Sequence, residues 1–519
     1  RQPPQEIVDI LDAPTLPRVS VSPDRESLLL SERSSMPTIA ELAEPILRIA
    51  GTRINPARTS SAGIPRTIGL RVKAVDGSAE RVIATPANAS IGWTSWSPDG
   101  DRIAFLNMLD DGVELWVADA ASGAAERVTD ARINGIGSAP CQWTDSETLL
   151  CAFVPDGHGV APVRPAVPAG PITQESSGHA APVRTYQDLL SDAYDVALFD
   201  HYFPAQLAFV NVTTGGRTPV GRPAIFAGVS PSPSGEYVLV ERVVKPYSYQ
   251  VPMSRFPQEI EVWDRSGTVA YKVASQPLLD NLPPGGWVQT GPRNVSWRPL
   301  QPATLYWAEA LDGGDPGAQV AERDRLLMVS APFTAEPHEF GRTEERYAGI
   351  DWSAGDIALL SDMERSRRWR RTYVIHPDAP GTAWTLVHEY STEDAYNDPG
   401  SPVMRTAESG NDVLLLDGDA IYLEGEGAGP EGDHPFLDRL DLGTLETERV
   451  WQSESGAYEE PVALLDDDAR RILTQRETPD EPPNYYVRDV ATGERTALTA
   501  FADPAPQLRG ITKQLVTYE

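Results

Sequence analysis

Positively charged residues are scarce in this acidic chain, and where they cluster they could bind an acidic group. The 519 residues include 44 Lys and Arg against 75 Asp and Glu, a net charge of −31. Five arginines nonetheless fall within seven positions: Arg365, Arg367, Arg368, Arg370 and Arg371. Because arginine holds a carboxylate through two parallel hydrogen bonds, one interpretation is a binding site for an acidic substrate group. The alternative is a surface turn whose arginines pair with nearby acids.

A second cationic segment, residues 241–263, joins two apolar stretches and also carries aromatic rings. Lys245, Tyr247 and Arg255 are its candidate substrate-binding residues. A ligand-facing loop and an ordinary connection between strands both fit this composition.

The sequence carries no pattern for nucleophilic or metal catalysis. It has no Gly-x-Ser-x-Gly and no His-Glu-x-x-His, and its seven histidines lack the spacing of metal ligands. The glycine-rich segment 424–437 has no helix after it and carries glutamates that would repel phosphate, so it is interpreted as a strand connection. We therefore expect no catalytic residue, no metal site and no cofactor within this chain.

The only two cysteines, Cys141 and Cys151, flank a hairpin centred on Asp145 and Ser146. Adjacent strands would bring them close enough for a disulfide, which an oxidising compartment would favour. Two buried thiols explain the pair equally well. Both alternatives stay open from the sequence.

The segment Ser95–Asn107 supplies the structural unit that must position these residues. Trp96 ends an apolar stretch, Pro98, Asp99 and Gly100 favour a turn, and Phe105 lies in the next alternating stretch. Similar hairpins recur along the chain, and most are followed by a second pair of strands. Four-stranded modules repeated in this way are typical of a β-propeller.

We count eight such modules, and a seven-module ring is the alternative count. They begin near Arg18, Trp93, Pro140, Ala227, Asn294, Ile350, Pro402 and Pro461. The predicted fold is thus an all-β propeller with short helical insertions. Helical spacing is predicted over residues 5–11, from Ile39 to Ala50, and over residues 186–202.

The net charge and the lack of long apolar runs argue against some classes of partner. The negative charge disfavours nucleic acid and anionic lipid surfaces, and no apolar run is long enough to span a membrane. The chain starts at Arg1 with no apolar leader, which fits a removed signal peptide or a sequence taken from inside a longer chain. A periplasmic or secreted location is favoured slightly over the cytoplasm.

Several longer strings are distinctive beyond the repeated hairpins. They are Arg48-Ile49-Ala50-Gly51-Thr52-Arg53-Ile54, Tyr186-Gln187-Asp188-Leu189-Leu190, Lys245-Pro246-Tyr247-Ser248, Arg255-Phe256-Pro257 and Glu426-Gly427-Ala428-Gly429-Pro430-Glu431-Gly432. Together they resemble the prolyl oligopeptidase family of serine peptidases, and most of all its glutamyl endopeptidase branch. The similarity extends over nearly the whole chain.

The resemblance implies a propeller that shields the active site of an α/β-hydrolase domain carrying a Ser-Asp-His triad. In that family the hydrolase domain follows the propeller, about where this sequence stops. We therefore expect an arm over residues 1–17, a propeller over 18–508 and the start of a link to a hydrolase domain over 509–519. The expected partners are that domain, in the same precursor or as a separate chain, and peptide substrates.

The resulting hypothesis is the substrate-gating region of a glutamyl-endopeptidase-like peptidase, inactive by itself. A free-standing propeller that binds peptides or proteins as a scaffold is the main alternative. A propeller enzyme with a metal or carboxylate site in its channel is a third, which the scattered histidines disfavour.

Overall fold

A computed structural model describes residues 3–63, 67–137, 139–167, 185–511 and 516 of the chain. Strands dominate these residues, so the predicted all-β class is confirmed. The strands pair into successive four-stranded antiparallel units, numbered here 1 to 8 in chain order. A short helix, α1 (Gln5–Leu11), precedes unit 1.

Units 1 and 2 are joined into one sheet by a single pair, Thr67 with Ile91. Unit 1 consists of β1 (Arg18–Val21), β2 (Ser27–Arg33), β6 (Thr67–Ala74) and β7 (Glu80–Val82). Between β2 and β6 lie α2 (Ile39–Leu42), β3 (Leu47–Ile49), β4 (Thr52–Asn55) and β5 (Ser60–Ser61). Unit 2 consists of β8 (Ile91–Trp96), β9 (Arg102–Met108), β10 (Val113–Asp119) and β11 (Ala125–Arg127).

Units 3 and 4 are separate four-stranded sheets. Unit 3 consists of β12 (Cys141–Asp145), β13 (Thr148–Phe153), β14 (Ala205–Asn211) and β15 (Arg217–Ala224), with α3 (Ala193–Tyr202) between β13 and β14. Unit 4 consists of β16 (Phe226–Pro231), β17 (Tyr237–Val243), β18 (Gln258–Asp264) and β19 (Val269–Gln276), with a 3₁₀ turn at Met253–Arg255.

Units 5 and 6 repeat the same order of pairing. Unit 5 consists of β20 (Arg293–Trp297), β21 (Thr304–Ala310), β22 (Asp324–Ser330) and β23 (His338–Thr343). Unit 6 consists of β24 (Arg346–Trp352), β25 (Ala358–Glu364), β26 (Trp369–Ile375) and β27 (Thr385–Ser391). A 3₁₀ turn at Ala395–Asn397 follows.

Unit 7 is the least regular unit. Its strands β28 (Ser401–Pro402), β32 (Ala420–Gly425), β35 (Phe436–Asp441) and β36 (Thr447–Gln452) are accompanied by the short strands β29 (Met404–Thr406), β30 (Asp412–Leu414), β31 (Leu416–Asp417), β33 (Ala428–Gly429) and β34 (Gly432–Asp433). Unit 8 consists of β37 (Tyr458–Leu464), β38 (Arg471–Thr478), β39 (Glu481–Asp489) and β40 (Arg495–Ala497). A 3₁₀ turn at Pro506–Leu508 comes after it.

The turn between the first two strands forms for a local reason. In unit 2, the Ser97 hydroxyl donates to Asp99 and accepts from the Arg102 amide at 2.9 Å. Gly100 takes a φ of 80°, which glycine adopts without steric cost. The contacts that close this hairpin turn thus all lie within the motif itself.

Apolar clusters connect each unit to the next, and another connects unit 8 back to unit 1. Each cluster contains buried residues from two units: Leu70 and Phe105, Leu115 and Leu149, Phe209 and Val240, Val262 and Leu305, Leu326 and Leu360, Leu359 and Ile421, Tyr422 and Ile472, and Leu473 and Leu28. Adjacent residues on one strand, such as Leu359 and Leu360, thus pack against different units, because side chains alternate between the two faces of a sheet.

The two ends of the sheets differ. Near the carboxyl ends of first strands, residues including Val21, Trp96, Trp143 and Pro231 line a cavity of about 390 Å³. We call this the turn end. The long connections after β2, β13 and β17, and the link from β19 to β20, leave from the opposite end, which we call the loop end.

The connections at the loop end share an apolar core of their own, which we call the insertion layer. Ile49 and Ile54 from unit 1 pack there with Phe199 of α3 and with Val251 and Phe256 from unit 4. These connections therefore form a packed layer over one end of the sheets.

The predicted helix from Ile39 to Ala50 is wrong beyond its first turn. A capping box of Thr38 and Glu41 starts α2, which ends at Leu42, and Leu47–Ile49 is instead a strand paired with β4. Pro45 explains the break, because a proline ring clashes with the preceding helical turn. In the segment 186–202 the helix begins only at Ala193, where the Asp192 side chain accepts from two backbone amides.

Candidate functional site

The structure separates the five clustered arginines by their ion pairs. Arg367 contacts Glu364 at 3.1 Å, and Arg368 contacts Glu393 at 3.0 Å. Arg371 contacts Asp362 at 2.7 Å and Glu344 at 2.6 Å. Arg367 and Arg368 thus pair with acids at the turn after β25, whereas Arg371 lies on β26 and pairs with the buried Asp362.

Arg365 and Arg370 differ from the other three. Neither has a carboxylate within ion-pair distance among the described residues, and they face different spaces. Arg365 lines a cleft of about 680 Å³, whereas Arg370 lines a smaller cavity between units 6 and 7. An uncompensated guanidinium beside a cavity is the feature that an acidic ligand would need.

The larger space, which we call the arginine cleft, lies between units 5 and 6. Its walls come from the amino end of β24, the carboxyl end of β25 and the turn that carries Arg365. The link between units 4 and 5 contributes Gly286 and Trp287. In the same link, the Leu279 amide donates to the Arg255 carbonyl at 3.0 Å, so the cleft borders the insertion layer at the loop end.

Two arginines that line the cleft, Arg323 and Arg346, are neutralised by a buried ion network. Arg323 contacts Asp312 at 3.0 Å and Glu345 at 3.0 Å. Arg346 contacts the same Asp312 at 2.5 Å and contacts Asp324 at 2.8 Å. Burial by itself would raise the pKa of Asp312, but hydrogen bonds and charge from Arg346 and Arg323 outweigh it and hold that pKa below its usual range.

A third arginine, Arg293, completes the network by contacting Asp324 at 2.6 Å. Asp324 is fully buried and also accepts from the Tyr347 amide at 2.8 Å. Three arginines therefore face three carboxylates, and their charges balance. Arg365 is left as the cleft cation without a counter-ion among the described residues.

The other predicted binding residues lie in the insertion layer and do not line the cleft. Lys245 Nζ contacts Asp200 at 2.7 Å, and the Tyr247 hydroxyl donates to the same carboxylate at 2.8 Å. Arg255 donates to the Leu279 carbonyl at 3.2 Å. Burial first, and then Asp200, raises the pKa of Tyr247 well above its ordinary value. These groups hold the layer together through their polar contacts.

The two cysteines lie opposite each other on β12 and β13 and are joined in a disulfide. Cys141 also lines the cavity at the turn end. Both residues are buried, so the bond lies inside the interface between units 2 and 3.

No group of three His, Cys, Asp or Glu side chains suited to a metal ion occurs in the parts of the chain that the structure describes. Of the seven histidines, His179 lies outside those parts. Within the same described residues, no helix is long and apolar enough to cross a membrane.

Sequence reasoning missed the buried ion network. Asp312, Asp324, Arg323 and Arg346 come from two units and carry no local motif, and single acids are uninformative in a chain with 75 of them. Only the packing of unit 6 against unit 5 brings them together. Hydrophobic alternation gives a weak signal, since Asp324 opens the apolar strand β22.

Two curated proteins align with the whole chain. A probable glutamyl endopeptidase, chloroplastic, of Oryza sativa subsp. japonica is 34% identical over 551 residues, an alignment that covers 100% of this chain and 58% of the rice protein. The chain is therefore similar over its whole length to part of a probable glutamyl endopeptidase. The protein of the same description from Arabidopsis thaliana is also 34% identical over 551 residues, covering 100% of this chain and 57% of its own length. The resemblance predicted from the sequence is thus confirmed.

The chain spans less than two thirds of the length of these curated relatives. No protein-family model matches it. Among solved structures, a prolyl endopeptidase gives a TM-score of 0.43 with 13% identity, over 94% of this chain and 57% of that one.

Proposed function

We propose that this chain is the N-terminal β-propeller portion of a glutamyl-endopeptidase-like serine peptidase and that it controls access to a C-terminal α/β-hydrolase domain. The observation that carries the proposal is the alignment of the entire chain with little more than half of two probable glutamyl endopeptidases. In this proposal the catalytic triad lies in the remaining part, and this chain contributes no catalytic residue.

The eight units are interpreted as the blades of one closed ring. Support comes from the apolar clusters between successive units and from the cluster that packs unit 8 on unit 1. The domain scheme is an arm over 1–17, the propeller over 18–508 and the start of the link to the hydrolase domain over 509–519.

The loop end is proposed as the side that the hydrolase domain covers. The arm reaches unit 1 at this end, because Arg18 begins β1. Helices α1 and α2 leave large apolar side chains exposed there: Ile7 is 46% exposed, Ile39 86% and Leu42 70%. Apolar side chains concentrated on two short helices favour a covering partner over bulk water.

The arginine cleft is proposed to help select acidic peptides, with Arg365 as the residue that contacts the substrate carboxylate. Two observations support this proposal. Arg365 is a guanidinium without a counter-ion among the described residues in a chain of net charge −31, and the chain is similar to proteins named for glutamyl specificity. A charge-assisted hydrogen bond contributes on the order of 1.5 to 3 kcal/mol, about one to two decades in kcat/KM.

The first test concerns the division of labour. The 519-residue chain should not cleave a Glu-containing peptide, because nucleophilic catalysis needs an activated nucleophile and the sequence has no Gly-x-Ser-x-Gly motif to supply one. The longer parent polypeptide should cleave it. Cleavage by the isolated chain that survives repurification, and that a single substitution within the chain abolishes, would refute the proposal.

The second test concerns selectivity in the longer protein. Arg365→Met should lower kcat/KM for a Glu substrate by about tenfold or more and leave the matching Gln substrate unchanged. Arg367→Met is the matched control, because Arg367 lies on the same turn but already pairs with Glu364. An unchanged Glu/Gln ratio in Arg365→Met would remove the cleft from substrate recognition while leaving the propeller assignment intact.

A further inference from the structure

The interface between units 6 and 7 contains a cavity of about 250 Å³. One water molecule occupies about 30 Å³ in the liquid, so the space exceeds an ordinary packing defect and could hold a small organic molecule. It shares no lining residue with the arginine cleft.

Two opposite charges line this cavity without pairing. Arg370 comes from β26 and Asp351 from β24, and neither forms an ion pair with any described residue. They are near enough to interact: burial raises the pKa of Asp351, and the charge of Arg370 opposes that rise. The structure therefore holds a cation and a carboxyl group on the wall of one cavity, short of direct contact.

A third polar group in the wall lacks a partner. His388 Nε2 is buried and makes no hydrogen bond with the described residues. Buried polar atoms are nearly always hydrogen-bonded in folded proteins, and an unpaired one is costly. Burial also lowers the pKa of His388, which favours the neutral ring that can donate or accept according to its tautomer.

The rest of the wall is mixed: Ser361, Thr372, Tyr390 and Ser401 add polar groups, and Tyr390 lies within hydrogen-bond reach of Arg370. Leu359, Ile421 and Leu440 are buried members of the cluster that joins units 6 and 7, and they also line the cavity. The cavity thus combines a cation, an acid and a hydrocarbon surface within one small space.

We propose that this cavity binds a free apolar α-amino acid, with its carboxylate on Arg370, its ammonium group on Asp351 and its side chain against Leu359, Ile421 and Leu440. A carboxylate alone would leave Asp351 unpaired, and an amine alone would leave Arg370 unpaired. A zwitterion with a hydrocarbon side chain satisfies both charges and the apolar wall together. This site does not depend on the proposed peptidase role.

The test uses the 519-residue chain and isothermal titration calorimetry with L-leucine. Leucine should bind saturably and more tightly than glycine, which lacks the hydrocarbon side chain. It should also bind more tightly than isocaproate, which lacks the ammonium group, and isoamylamine, which lacks the carboxylate. Absence of saturable leucine binding would overturn the proposal and leave the cavity to water.

Three variants assign the charges. Arg370→Met should weaken leucine binding by about tenfold to a hundredfold, whereas Arg367→Met, with an exposed side chain already paired to Glu364, should not change it. Asp351→Asn should weaken leucine more than isocaproate. Arg370→Lys, which retains a positive charge, should bind leucine better than Arg370→Met does. It also keeps the test decisive if Arg370→Met fails to fold. Leucine binding that is equal in wild type and a folded Arg370→Met variant would overturn the assignment.

Discussion

Glu424 is a partly buried carboxyl group without a basic partner among the described residues, and its removal should stabilise the protein at alkaline pH. It lies near the end of β32, opposite Ser401, and forms no ion pair with the described residues. Burial first, and then the charge of Glu460, raises the pKa of Glu424 from 4.5 to about 7. The folded protein therefore holds this proton more tightly than the unfolded chain does.

The direction of the pH effect follows from that difference. A carboxyl group whose folded pKa is raised contributes most to stability below its unfolded pKa, and the contribution is lost as the pH rises through about 7. The difference between 4.5 and about 7 corresponds to roughly 3 kcal/mol once Glu424 is fully charged. Because Glu460 titrates with it, a gain of about 1 to 3 kcal/mol is the expected range for Glu424→Gln.

The assay is thermal and urea unfolding of wild type and Glu424→Gln at about pH 5 and about pH 8.5. The variant should match wild type near pH 5, where the wild-type carboxyl group is protonated in the fold, and exceed it at the higher pH. Glu448→Gln is the control, because Glu448 is exposed on the neighbouring strand β36. A variant with the same difference from wild type at both pH values would refute the reasoning.

Three further outcomes are expected. Asp324→Ala should lower stability by about 3 to 5 kcal/mol, since it leaves two arginines without their shared buried carboxylate, and a Tm that is unchanged would contradict this. Replacing Cys141 and Cys151 by serine should lower the free energy of unfolding by about 3 kcal/mol relative to oxidised wild type, measured by urea unfolding. Reduced wild type, which lacks the disulfide, should be as stable as the variant. Hydrogen exchange over residues 3–12 should be faster than in the strands, and protection equal to the strands would weaken the proposal of a covering domain.

Features whose cause is local could be predicted from the sequence. The turn after β8 is closed by Ser97, Asp99 and Gly100, all within four positions, so the motif contains its own explanation. The alternation of apolar residues likewise marks strands such as β25, where Leu359 and Leu360 face different units. The all-β class follows from the repetition of such local signals.

The helix predicted from Ile39 to Ala50 fails for a local reason, because Pro45 ends it and the chain continues into the hairpin of β3 and β4.

Features whose cause is distant in sequence could not be predicted. Lys245 and Arg255 are cationic in sequence, yet their partners Asp200 and Leu279 belong to other connections. Such contacts determine which cations remain available for a ligand, and the contacts cannot be read from the composition.

Strand geometry explains how one cluster of arginines serves different surfaces. Arg370 and Arg371 are adjacent on β26, so their side chains point to opposite faces of unit 6. Arg371 reaches Asp362 and Glu344, whereas Arg370 lines the cavity shared with unit 7. Arg365, on the turn before β26, lines the cleft shared with unit 5. Among the described residues, unit 6 thus presents one arginine without a carboxylate partner at each of its two interfaces, and a substitution at either position tests one proposal without touching the other.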